Sequence, residues 1–171
     1  MCDFTPVRNA LIALAVFVGL AVSSAFFAWG WTYSKTPWGA IVASVCFWVA
    51  ATWCMAAGVA LGILLNAVRA FCACARKVNA ACASPCDSIE GAIFTLAAAL
   101  LTMFITCGAL GSGASGVDAT VALFLLVIAF FIAAFGTVMT LIGSLNLASC
   151  QSAPRPGPPS GPPGGTGPTP M

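Results

Sequence analysis

Cysteine is the one residue type in this chain that is both reactive and concentrated. The chain holds nine cysteines, and Cys72, Cys74, Cys82 and Cys86 fall in one short stretch. Their spacing, C-x-C-x7-C-x3-C, gathers four sulfur donors of the kind that hold zinc or an iron–sulfur cluster. It lacks the paired C-x2-C knuckles on which such sites are built, which argues against a metal. Arg69, Arg76 and Lys77 beside these thiols make a setting for S-palmitoylation. The same cations and a nearby helix start favour a thiolate at Cys86, whereas Asp87 opposes it. In a reducing compartment the expectation is free thiols with no dedicated chemistry. In an oxidising one it is two disulfides within the loop. Cys2 and Cys150 flank the same side, and Cys46, Cys54 and Cys107 lie in apolar runs, where Cys acts as a small filler.

Little else in the sequence is equipped for chemistry. With no His among the 171 residues, imidazole catalysis, His metal ligands and His-based pH sensing are excluded. There is no glycine-rich phosphate loop, no nucleophile elbow and no pair of carboxylates set for acid–base work; Asp87 and Glu90 read as helix-start charges. A formal charge of +2 is too small for a nucleic-acid footprint. The expectation is a protein that is not an enzyme, with no catalytic, cofactor-binding or metal site and no cofactor.

The elements that must position these groups are apolar helices. The chain is 61% apolar and 6% charged, with a mean hydropathy of +1.05. Six cations and four carboxylates cannot cover a water-facing surface. The expected fold is an all-α integral membrane protein: a four-transmembrane-helix bundle with short loops over residues 1–150, then a disordered Pro/Gly-rich tail over 151–171. Four runs reach the roughly 20 residues needed to cross a bilayer; they cover about 7–31, 38–70, 89–110 and 119–147. Thr5-Pro6, Thr36-Pro37 and Ser84-Pro85 each offer a hydroxyl cap before a first-turn proline, Ser84 with Asp87 matches a capping box, and Asp118 suits the fourth start. Ser23-Ser24-Ala25 resembles a signal-peptide cleavage site, but the apolar run continues through Trp29, which favours an uncleaved anchor.

Orientation follows from the cations. Arg8, Arg69, Arg76, Lys77 and Arg155 share one side and Lys35 stands on the other, which places both termini and the second loop in the cytoplasm. Trp29, Trp31, Tyr33 and Trp38 would then sit at the opposite lipid–water interface. The tail holds eight of the eleven prolines; Pro156 and Pro159 give a PxxP spacing, though a flexible solubilising tail is the simpler reading.

Each run carries a small-residue face suited to close helix packing in lipid. On the second run the stripe is Cys46, Ala50, Cys54, Gly58, Gly62 and Asn66, in which Gly58 and Gly62 form GxxxG. The fourth offers Gly136 and Gly143, and the third offers Thr95, Thr102 and Thr106. Gly58, Gly62, Cys54, Gly136 and Gly143 are the candidate helix-packing interface, with an internal contact expected for the GxxxG rather than a homodimer. No span carries an ionisable side chain in its middle or a central Pro, the usual marks of carriers and secondary transporters.

The function these features favour is that of a non-catalytic multi-pass membrane protein acting as an accessory, assembly or scaffold subunit. Its expected partners are the lipid bilayer and another membrane protein or a second copy of itself, with no nucleic acid and no small-molecule substrate indicated. The alternatives are an oligomeric transporter or channel subunit, whose path hydroxyls such as Thr102 and Thr106 would line, and a thiol-based redox or metal protein.

Overall fold

The structure, a computed structural model, describes residues 2–152. The expectations for the tail, including Arg155 and the Pro156/Pro159 spacing, lie outside the described residues. The chain forms four helices: α1 Thr5–Thr32, α2 Pro37–Val78, α3 Ala83–Gly111 and α4 Gly116–Ser152. A single 3-10 turn, Ala80–Cys82, joins α2 to α3. All four helices are long and apolar enough to cross a membrane.

The helix starts are only partly those expected. Thr36 is extended and precedes Pro37 at the first position of α2, as a capping pair requires, although its hydroxyl makes no cap bond there. At α1 the bond comes from two residues before Thr5: the Asp3 carboxylate accepts the Thr5 backbone N–H at 2.9 Å. Ser84 caps nothing, because α3 already begins at Ala83 and its N-cap position is Cys82. The capping box with Asp87 is therefore absent, and Asp87 turns to Arg76 instead. Asp118 lies in the first turn of α4, where its charge faces the positive end of the helix dipole.

The helices also run on past their apolar stretches. The expected ends follow the loss of hydropathy, whereas a helix stops only where its backbone is broken. Nothing breaks α2 before the extended Asn79, and Arg76 and Lys77 in its last turn complement the C-terminal dipole. From Phe71 to Val78 this adds about 12 Å of helix. At α3 and α4 the same end is lengthened, to Ala83 and to Ser152.

α1 packs on α2, α2 on α3, and α3 on α4. The seams are built from small residues with a few large ones set between them: Ala21 and Ala28 of α1, Ala50 and Ala57 of α2, Ala129 and Ala133 of α4, against Leu64, Ile93, Leu96 and Met103. The bulky residues Phe27, Val59, Phe124, Phe131 and Leu145 are all more than half exposed. In water that surface would be a severe liability, and in hydrocarbon it costs nothing.

Candidate functional site

The extended ends of α2, α3 and α4, with residues 2–6, form a cap held by three disulfides. Cys2 pairs with Cys74, Cys72 with Cys86 and Cys82 with Cys150, at Cα–Cα distances of 6.0, 5.9 and 5.7 Å. This corrects the expectation of free thiols, and also that of two bridges confined to the loop. Its reason lies in helix geometry. Cys72 and Cys74 are two positions apart on α2, about 200° around the axis, so they face opposite neighbours. Cys72 meets α3, and Cys74 meets the N-terminal segment. Cys82, at the start of α3, is left to reach Cys150 near the end of α4. Cys46, Cys54 and Cys107, all within the apolar lengths of α2 and α3, are free.

The cap is polar as well as cross-linked. Arg69 Nε donates to Glu90 Oε1 at 2.8 Å and Arg76 Nη2 to Asp87 Oδ1 at 2.6 Å, so both α2–α3 ion pairs flank the Cys72–Cys86 bridge. A cavity of about 110 Å³ lies among Arg69, Arg76, Cys72, Cys86 and Glu90. Each guanidinium is engaged by a carboxylate of α3. Hydrogen bonding from Thr5 holds the Asp3 carboxyl below its ordinary value. Among the described residues no three Cys, Asp or Glu side chains are grouped to hold a metal ion.

Away from the cap, the helix-packing candidates separate into two sets. Gly136 and Gly143 lie in the α3–α4 seam, where a Cβ would sit 3.3 Å from Leu96 Cβ and 3.2 Å from Ile89 Cβ respectively. Cys54 is buried. Gly58 and Gly62 are exposed, and a Cβ at either would meet nothing within 4 Å, so no other helix of this chain packs on them. The cause is the pitch of the stripe. Steps of four residues advance about 40° beyond a full turn, so a line begun at Cys46 winds halfway round α2 by Asn66. It faces inward at Ala50 and Cys54 and outward at Gly58, Gly62 and Asn66.

The span hydroxyls are spent locally. Thr95 donates to the Gly91 carbonyl at 3.0 Å, Thr102 to Ala98 at 2.9 Å and Thr106 to Thr102 at 2.9 Å. Between helices, the Ser44 hydroxyl of α2 donates to the Gly111 carbonyl at the end of α3, a contact hidden in the sequence by 67 residues of separation. A cavity of about 260 Å³ opens between α1, α3 and α4, lined by Val22, Phe26, Trp29, Met103, Leu126 and Phe130 among others. The Trp29 indole N–H is already donated to the Tyr33 hydroxyl at 3.0 Å, which leaves that cavity no free polar group of its own from Trp29.

Comparison with protein-family models, with curated proteins and with solved structures finds no match to this chain.

Proposed function

We propose that this chain is a multi-pass membrane protein whose four helices pack as a compact bundle in the bilayer and which acts without catalysis, as an accessory, assembly or scaffold subunit. The observation that carries the reading is the outward Gly58–Gly62–Asn66 face of α2. Small residues at that spacing let a second helix approach closely, and in lipid close approach together with side-chain hydrogen bonds is what drives association. The amide of Asn66, one turn beyond Gly62, is exposed and supplies a donor and an acceptor for such a neighbour.

The two alternatives draw less support. Thr95, Thr102 and Thr106 bond to carbonyls of their own helix rather than projecting into a path. The clustered thiols are joined to one another, which removes them as metal donors. As for orientation, cation balance alone favours a cytoplasmic cap, and the disulfides weigh against it.

The test is native mass spectrometry of the protein extracted gently from its own membrane, beside the variants Gly58→Ile and Gly62→Ile. A polypeptide held at fixed stoichiometry, or a defined homo-oligomer, that both variants lose supports the reading. A monomer with no added mass, or an assembly indifferent to both variants, overturns it.

A further inference from the structure

We infer that the disulfide-stapled cap faces an oxidising aqueous compartment, so that residues 2–6, the α2–α3 connection and the end of α4 lie on the side of the membrane away from the cytoplasm.

The cap is wet. It stands beyond the apolar lengths of the helices and exposes Arg76, Lys77 and Asp87. Its pairing is also complete: all six cysteines at this end are matched one to one, with each pair at the Cα separation typical of a bridge. The three that stay free are those at hydrocarbon depth. Bridged and free cysteines are thus sorted by position along the helices, bridged in the cap and free in the apolar lengths, as they are when an aqueous oxidant at the cap end does the pairing. Each bridge forms by exchange with a disulfide-bearing oxidant of that compartment. Two thiols of the chain lose two protons and two electrons, the new S–S bond forms, and the oxidant departs as a dithiol.

The Cys2–Cys74 bridge is the one a reducing compartment would open. Cys2 and Cys74 are both only half-buried, so small thiols reach that bridge, and a glutathione-buffered cytosol reopens such bonds. The opposing signal is the cation bias, and the structure weakens it. Of Arg8, Arg69, Arg76 and Lys77, two are tied to Glu90 and Asp87 in ion pairs across α2 and α3. The bias is a statistical preference of insertion, whereas a disulfide needs an oxidant on its own side of the membrane.

The experiment counts thiols on the full-length chain in its own cells. Intact cells are treated with or without a membrane-impermeant phosphine, which is then removed. The chain is denatured and tagged with a maleimide-linked polyethylene glycol that adds one mass step per free thiol. Three steps are expected without phosphine, from Cys46, Cys54 and Cys107, and at least five with it, as Cys2–Cys74 opens from outside. Nine steps without phosphine would overturn the inference by showing every cysteine reduced. A count that rises once the plasma membrane alone is opened would overturn it by placing the cap in the cytoplasm, whereas a rise that needs every membrane opened supports a cap in an oxidising lumen. A count fixed at three even then would overturn the solvent access of Cys2–Cys74 on which the inference rests.

Discussion

Gly111 ends α3 directly against the indole of Trp48 on α2: a Cβ at Gly111 would lie 2.8 Å from Cδ1 and 3.0 Å from Nε1 of that ring. The same glycine's carbonyl receives the Ser44 hydroxyl. One residue therefore carries both a steric and a polar contact between the two central helices. Gly111→Ala is expected to force the Trp48 ring aside and to cost about 1–3 kcal/mol. Denaturant unfolding in detergent reads the loss, and an unchanged midpoint would refute the contact.

Ser44→Ala tests the polar half of the same relationship. Side-chain hydrogen bonds between membrane helices average about 0.6 kcal/mol, so the expected loss is small but measurable. Because Ser44 and Trp48 converge on Gly111, the Ser44→Ala and Gly111→Ala losses are expected to be non-additive in a double-mutant cycle.

Gly143 and Gly58 offer a contrast between a used and an open small face. Gly143→Leu drives a side chain into Ile89, whose Cβ lies 3.2 Å from the Cβ position, and is expected to destabilise the isolated protein by several kcal/mol or to block its folding. A Cβ at Gly58 meets nothing within 4 Å, and Gly58→Leu is expected not to lower the monomer's unfolding midpoint while altering what the protein associates with. Equal destabilisation by both would contradict the α3–α4 seam.

Asp3 makes the entry to α1 sensitive to acid. Its carboxyl is held below the ordinary value of 3.8, chiefly by the hydrogen bond from the Thr5 backbone N–H. The folded state therefore favours the charged form. That contribution is fully present above the unfolded value and is lost as pH falls through the lower folded one. Amide exchange at Thr5 is expected to accelerate in that acidic window, once corrected for its intrinsic pH dependence. Asp3→Asn should exchange faster throughout and lose the acid-dependent step.

The cap's ion pairs and its bridges are expected to differ sharply in weight. Arg69 and Arg76 are each about half exposed in their pairs, and Asp87 is more exposed still. Arg69→Gln or Arg76→Gln should cost at most about 1 kcal/mol, and less in high salt. Bridges closing sequence separations of 72 and 68 residues are each worth about 4 kcal/mol in the chain-entropy model. Thermal unfolding with and without a reductant separates the two effects.

Four helices could be read from the sequence because each is an apolar run long enough to span a bilayer. Their ends could not, since α2 and α4 continue as polar helix where hydropathy has already fallen. The cysteine pairing was out of reach for a different reason. Cys2 finds Cys74 and Cys82 finds Cys150 only after distant helices have lined up, and local spacing carries no trace of it. One signal was available: setting aside the three cysteines in apolar runs leaves six on one side, an even number. Gly58 and Gly62 looked equivalent to Gly136 and Gly143 as small-residue pairs. Which pair meets a neighbour depends on how far each stripe has wound around its helix, and an i+4 line drifts steadily away from the face where it began.

The three bridges also give the chain a schedule. In the order of synthesis, both cysteines of Cys2–Cys74 precede Cys86, and Cys72 has its partner 14 residues further along the chain. Cys82 must wait for Cys150, at the far end of the last helix. Until that helix is complete, the nascent protein carries one unmatched thiol at the water's edge. A polypeptide broken off anywhere in α4 before Cys150 keeps that thiol, and with it a chemical mark that distinguishes an unfinished copy from a finished one.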